Sequence, residues 1–503
     1  MKLIFPTFSG SGNSSLKTAW WWILVLIVGA GIYFRFGNLG GKVWFTDEAD
    51  TALRISGHTI KEFTDFFANA GEVRSADIQR FQKLDPTRGT WDAILSLSRE
   101  EPQQVPLYYI LARWWAILVG DSPTSLRAGA ALLSLLAIPG ILWLGRELWG
   151  DQRVTLTALA LWAVSPFFVR YAQDARDYGL WGVLTLLSSA SLLHALRTGR
   201  GWWIYGLFIT LGLYTKFLFL GVVGAHIAFV ATDRNSWTQW KQAGAAWAIS
   251  LLLLGVWIGL SLQAGGTVTG LDWVKNTSSV GKLLSGWLWG VGAVACDVRS
   301  TWIGMIVAPL AAWGMFSWWR SGDRREAWFV FLLIAVNALP LALPDLMFGG
   351  RRSAVPRFLV AAWVGEILVL TWIAAPRPWL LMGLIALGGT ADLVQIPQKN
   401  AWNKYNANDY QRIATLINAS ENPLVLFPPR NLQYGLLTLG YMLDPHVRLA
   451  PKSQVRQAVD VGDLFRLHRS NTVPEPPIEP GSEMVLRSES VELWRLPTSR
   501  TFP

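Results

Sequence analysis

The chain has 503 residues, 52% hydrophobic and 16% charged, with 30 Trp and a formal net charge of +10. Apolar residues gathered in long blocks at so low a charge content exclude an ordinary soluble enzyme and indicate a polytopic membrane protein. A single cysteine, Cys296, excludes a disulfide framework and a cysteine-based metal cluster, and reads as a packing residue.

Residues 20–36, WWWILVLIVGAGIYFRF, form the first expected span. Lys2 and Lys17 precede it and no small-residue cleavage site follows, so it reads as an uncleaved anchor with a cytoplasmic N-terminus. Next comes WFTDEADT, Trp44 to Thr51, whose letters spell the DEAD box of nucleic-acid helicases. That reading fails, because the nearest phosphate-loop candidate, GSGNSSLKT at 10–18, lacks the glycine directly before its lysine. The basic residues also recur in short links between apolar blocks instead of forming one aromatic-interleaved domain, so no nucleic-acid partner is expected.

The polar stretch to about residue 105 carries the amphipathic HTIKEFTDFF and then EEPQQVPLYY. The block at 106–119, PLYYILARWWAILV, rises only about 21 Å as a helix, against a hydrocarbon core of roughly 30 Å, and is taken as interfacial. Further apolar blocks lie at 126–147, 153–170, 178–196, 202–214, 216–232, 244–262, 302–319, 327–344, 358–374 and 378–394. With the first span they give about eleven crossings, or twelve to thirteen on other counts. This count places Arg146 and Arg153, Arg197 and Arg200, Arg234 and Lys241, Arg320 with Arg324 and Arg325, and Arg377 on the cytoplasmic side.

On the outer face lie the first loop, the 170–177 and 345–357 turns, the 263–300 loop and everything after 394. In that tail NDYQRIATLINAS reads as helix, while NPLVLFPP and VELWRL read as strands. The expected organisation is a cytoplasmic segment 1–19, a transmembrane domain 20–394 with its first outer loop at 37–125, and a small extracytoplasmic α/β domain 395–503.

Polar residues gather on the outer side. Asp47, Glu48 and Asp50 follow the first span; Arg170, Asp174, Arg176, Asp177 and Tyr178 sit between two spans in RYAQDARDYGL; Lys216 occupies a very short link; Arg351, Arg352 and Arg357 head another span. Charges at membrane depth cost several kcal/mol unless paired or lining a wet cavity, so such a collection suggests one polar chamber. Carboxylates facing cations suit a reaction in which a base takes a proton while an anionic group departs. Each group also has a plainer reading as solvated surface, salt-bridged turn or lipid-headgroup contact. His226, inside an apolar block, reads as a core histidine, and His58, His194 and His446 lack ligand-like spacing.

The words WFTDEADT, EEPQQVPLYYILARWW, SLRAGAALLSLLAIPGILWLGRELWG, SPFFVRYAQDARDYGL, LGLYTKF and PRFL, in that order, cover most of residues 20–375. In order and wording the chain resembles the GT-C membrane glycosyltransferases, specifically glycosyltransferase family 39 with its protein O-mannosyltransferases and aminoarabinose transferases. The resemblance implies a many-span fold with an outer-face cavity, a polyprenyl-phosphate-linked sugar donor, and transfer with inversion to a lipid, glycan or protein acceptor in the cell membrane.

Carried onto this sequence, it makes Asp47 the catalytic base and Glu48 its supporting neighbour. Asp174 and Asp177 become the second-loop acids that bind metal or substrate. Lys216, Arg351, Arg352 and Arg357 face the donor phosphate, and Arg176, Tyr178, Gln104 and Tyr108 position substrate. Relatives commonly carry His-Pro-Pro-Leu-Tyr-Tyr where this chain has Gln104 to Tyr109, and His where it has Lys216. Two imidazoles are thereby lost, which leaves open whether a divalent cation (Mg, Mn or Zn), held by Asp47 and Asp174, takes part. The alternatives are a transporter or flippase of a lipid-linked or anionic solute, and a noncatalytic member. The absence of a clear internal repeat and the one-sided charges favour the enzyme.

Overall fold

The computed structural model describes residues 14–233, 236–267, 278–298, 300–321, 323–400, 404–427, 433–451, 462–469, 480–487 and 491–497. Lys2, Arg234 and residues 10–13 of the phosphate-loop-like stretch lie outside the described residues. The chain forms two compact units, one comprising residues up to Leu39, Glu101–Tyr108 and Arg127–Pro397, the other Gly40–Glu100, Tyr109–Leu126 and Gln398–Pro503.

The first unit is helical. Among the described residues, six helices are long and apolar enough to cross a membrane: Pro123–Leu148, Tyr178–Thr198, Trp237–Gln263, Thr301–Arg320, Arg324–Phe348 and Pro378–Gln395. A seventh span results when the bent pair Gln152–Ala163 and Pro166–Ala172 counts as one. Six more apolar helices are shorter: Trp22–Phe36, Trp202–Leu213, Phe217–Thr232, Val280–Ala295 and Val360–Ala374, and Leu107–Val119, most of which belongs to the second unit. Of these, Val280–Ala295 falls where the sequence suggests only loop. Its glycines are poor helix formers in isolation, yet here they admit neighbours closely. A Cβ on Gly286 would meet Ala354 at 2.6 Å, and one on Gly290 would meet the Trp363 ring at 2.9 Å.

The 58° bend between Ala163 and Pro166 has an identifiable cause. Pro166 has no N–H to offer the Trp162 carbonyl, so the helix breaks there. Arg35, buried at the end of the first helix, supplies donors instead: its guanidinium donates to Trp162 O at 3.1 Å, Ala163 O at 2.7 Å and Gly31 O at 2.8 Å. It also lies 4.0 Å over the Trp162 ring. Gly31 allows this approach, since a Cβ there would lie 2.3 Å from Ala163 O.

His226 is a core histidine, as its sequence setting suggests. It is buried and bonded to Ser189 Oγ and Tyr205 Oη, each at 3.2 Å, while Trp247 Nε1 donates to Tyr205 at 2.8 Å. Cys296 is a buried free thiol.

The second unit carries a six-stranded sheet, β1 (Val73–Arg74), β2 (Leu424–Phe427), β3 (Arg448–Pro451), β4 (Leu464–Arg469), β5 (Glu483–Arg487) and β6 (Val491–Leu496), in the order β1-β3-β2-β4-β6-β5. The strands expected in LVLF and VELWRL and the helix Tyr405–Asn418 are present. β2 pairs parallel with β3 and β4, and all four of its residues are buried, as a central parallel strand covered on both faces requires. Leu424, Leu426, Ala450, Leu464 and Leu496 form the core. The sheet also takes β1 from the first loop, antiparallel to β3 with Val73 opposite Leu449. The loop and the tail therefore fold as one body.

Gly304 gives a direct test of helix packing in the first unit. A Cβ there would lie 1.7 Å from the Leu288 carbonyl oxygen, a backbone atom that cannot swing away. Gly304→Ala is expected to destabilise the protein by about 1–3 kcal/mol. Gly255→Ala, where nothing lies within 4 Å, is expected to be neutral or slightly stabilising. Thermal unfolding of the detergent-purified variants measures both.

Candidate functional site

Helix Pro166–Ala172 ends at Gln173, whose amide donates to Phe34 O at 2.7 Å and Gly37 O at 3.0 Å. The chain then turns tightly, with Arg176 N donating to Asp174 O at 2.7 Å, and starts the next helix at Tyr178. Asp177 precedes that helix at its positive end, which favours a carboxylate. Its side chain does not cap the helix but reaches Lys216, with Oδ2 2.9 Å from Nζ.

Lys216 sits in the link after helix Trp202–Leu213, its own N–H bonded to Gly212 O at 3.1 Å. The turn requires glycine at 212, because a Cβ would lie 2.3 Å from the Phe219 ring. Lys216 Nζ also donates to Gln104 Oε1 at 3.1 Å and lies 5.4 Å from the Tyr178 ring centre. Gln104 is held in place by its neighbours: Leu107 N donates to Tyr214 O at 2.9 Å, and Trp257 Nε1 donates to Pro102 O at 3.0 Å.

Arg176 and Arg357 lie close enough for their charges to act on Lys216. Tyr171, 5.1 Å from the Tyr178 ring, stands within the fields of Arg357, Arg170 and Asp174. Lys216, Arg176 and Arg357 thus gather beside Asp177, and Arg357 and Asp174 both act on Tyr171. Asp174, Arg176, Asp177, Tyr178, Lys216 and Tyr108 are all buried.

Two other cations are committed to structure. Arg170 pairs with Asp297 and donates to Gln395 Oε1 at 3.1 Å. Arg352 Nε lies 3.1 Å from Asp345 Oδ1, and the other Asp345 oxygen accepts from Ser353 N at 2.7 Å and Ser353 Oγ at 2.8 Å. Arg351 is exposed at the start of that turn. The sequence reading missed Tyr171 and the partners Asp297 and Asp345, which only folding brings to these arginines.

In the second unit, Asp47 and Glu48 occupy the first turn of helix Thr46–Ser56. Glu48 is fully buried and its Oε2 accepts from Phe45 N at 3.2 Å and Lys404 Nζ at 3.1 Å. Asp50 pairs with Arg54 at 3.3 Å, and Arg54 in turn binds Ser96 and Glu100. Glu48 and Asp50 thus face buried cations, and Asp47 is half-buried at the positive end of its helix. Lys404 carried no signal in the sequence, lying 356 residues from its partner.

Within each unit, among the described residues, no three His, Cys, Asp or Glu side chains come close enough to share a metal ion.

A family model described as dolichyl-phosphate-mannose-protein mannosyltransferase matches residues 101–259. The structure is similar to that of ArnT from Cupriavidus metallidurans, with a TM-score of 0.55 for the apo state at 12% identity, covering 97% of this chain and 100% of that one. The same protein bound to undecaprenyl phosphate gives 0.54 at 13% identity, covering 97% and 99%. The oligosaccharyltransferase of Archaeoglobus fulgidus in its apo form gives 0.51 at 12% identity, covering 91% of this chain and 70% of that one. At these identities the likeness is one of fold. No curated protein matches the sequence.

Two outcomes follow from the second unit. Lys404→Met takes the Lys404 cation away from buried Glu48 and is expected to cost about 3–5 kcal/mol, with Lys404→Arg retaining most of the stability, as read by thermal unfolding. His58 is held below its ordinary range, first by burial and then by Arg88, with Glu62 and Asp85 pulling the other way. The unfolded chain then binds a proton that the folded one resists, so His58's contribution is complete above pH about 6.5 and is lost as pH falls through the folded value. The unfolding midpoint of wild type should drop more between pH 7 and 5 than that of His58→Gln.

Proposed function

For this multi-pass membrane chain of GT-C, family 39-like fold, we propose transfer of a sugar from a polyprenyl-phosphate-linked donor to a lipid, glycan or protein acceptor. The observation that carries the reading is the buried Lys216, held by Asp177 at 2.9 Å and Gln104 at 3.1 Å, with Arg176 and Arg357 close by. Such a cluster stabilises a departing phosphate. The ArnT structure that shares this fold holds undecaprenyl phosphate, which supports the same donor class here.

In the proposed reaction Asp47 takes the proton from the acceptor hydroxyl or amine. The acceptor atom bonds to the anomeric carbon from the face opposite the phosphate. The carbon–oxygen bond to phosphate breaks, its electron pair leaves with the polyprenyl phosphate, and configuration inverts. Lys216 and Arg357 meet the growing charge, and Asp177 and Gln104 fix the lysine's position. Asp174, Arg176, Tyr178 and Tyr108 orient substrate. Glu48, paired with Lys404, positions the helix that carries Asp47. Arg351 and Arg352 flank the phosphate-facing turn, with Arg352 holding its shape through Asp345. In this reading the reaction occurs on the outer face of the cell membrane, with the N-terminus cytoplasmic and residues 395–503 extracytoplasmic.

Detergent-purified protein incubated with radiolabelled polyprenyl-phosphate sugars and a membrane extract tests this directly. Asp47→Asn should lower transfer by roughly 10²- to 10⁴-fold while still binding undecaprenyl phosphate, and Lys216→Gln should weaken that binding. Transfer that survives Asp47→Asn would remove the base assignment.

A further inference from the structure

The second unit holds a cleft of about 520 Å³ lined by His58, Glu62, Arg80, Lys83, Asp85 and Arg88 above Phe81. That volume lies within the range of small-molecule sites, roughly 300–1,000 Å³. The reaction proposed above uses none of these residues.

Its charges fall into two sets. Arg88 is committed, donating to Gly57 O at 2.7 Å and pairing with Glu62 at 3.1 Å. Arg80 and Lys83 make no ion pair among the described residues. Arg80 opens the 3₁₀ helix Arg80–Gln82 and Lys83 follows it, a spacing of three, and three residues make one 3₁₀ turn, so both lie on one edge. Arg80 lies over Phe66, its guanidinium carbon 4.4 Å from the ring centre, and 5.2 Å from that of Phe81. This stacking fixes its orientation and leaves its N–H edge as a fork for an oxyanion. Beside this pair stand two carboxylates with acceptor capacity remaining. Asp85 Oδ1 takes Thr87 N at 2.8 Å and Thr87 Oγ1 at 2.6 Å, while Oδ2 has only the longer contacts to Arg88 at 3.7 Å and His58 at 3.9 Å. Glu62 is partly exposed.

A bare anion would be drawn to Arg80 and Lys83 but repelled by Glu62 and Asp85. A ligand with an anionic group at one end and hydroxyl donors at the other satisfies both sets. We propose that this cleft binds an anionic sugar, its phosphate or carboxylate held by Arg80 and Lys83 and its hydroxyls donating to Asp85 and Glu62. The proposal goes beyond the transfer reaction and needs only that the second unit meet such a sugar, free or as a lipid headgroup.

The test uses full-length protein in detergent micelles titrated with glucose 6-phosphate, with glucose and inorganic phosphate in parallel. Saturation-transfer NMR should show glucose 6-phosphate bound at least tenfold more tightly than either fragment. Arg80→Gln/Lys83→Gln should weaken it at least tenfold, and Lys83→Gln alone, an exposed change that leaves the packing intact, should weaken it about threefold. Micelles carrying phosphatidylinositol 4-phosphate separate the two sources: tighter binding there assigns a lipid headgroup, tighter binding of glucose 6-phosphate a free sugar. Undecaprenyl phosphate binding should be unchanged in both variants, so failure here is distinct from failure of the donor reading. Glucose 6-phosphate and phosphatidylinositol 4-phosphate both failing to bind, or binding unaltered in the double variant, would overturn the proposal.

Discussion

A charge taken out of water must be met by a partner or by fixed dipoles, and the functional regions of this protein are built on that constraint. In the first unit Lys216 is buried against Asp177 and Gln104, Arg170 against Asp297, and Arg35 against the carbonyls exposed by a proline break. In the second, Glu48 is buried against Lys404, and Arg54 against Asp50 and Glu100. Removing one member of such a pair strands the other, so each pair fixes the local chain path as well as the charge.

The same constraint separates residues that hold shape from residues that remain available for chemistry. Arg170 and Arg352 each face a dedicated carboxylate, so their charge is spent within the fold. Around Lys216, Arg176 and Arg357 add further positive charge, and the lysine's rotamer is already fixed by Asp177 and Gln104. Such preorganisation avoids the entropy cost of ordering a long side chain at the moment of binding.

Much of the candidate site was legible from local wording. The RYAQDARDYGL turn announced buried charge between two spans, and Asp177, Tyr178, Lys216 and Gln104 do converge. The loop carboxylates were legible as a group, but not in their division of labour. Asp50, read as part of the helix start, pairs with Arg54 one turn on, and Glu48 is tied to a lysine 356 residues away. Short-range spacing can reveal the first kind of pair and never the second. The stretch 263–300 read as loop because its glycines weaken helix propensity, whereas helix Val280–Ala295 owes its place to the close backbone contact those glycines allow.

The sequence by itself determined that this is a multi-pass helical membrane protein with a small α/β body, because apolar block length and strand alternation are local properties set by the solvent each face must meet. It determined also which titratable groups stand near the ends of spans, since hydrocarbon tolerates so few of them. Only the tertiary structure decided which of those groups are paired. It alone joined β1 of the first loop to the C-terminal sheet and set Arg80 and Lys83 in one cleft with Glu62 and Asp85. Pairing depends on which segments distant in sequence are brought within a few ångströms, and that is settled by packing the whole chain.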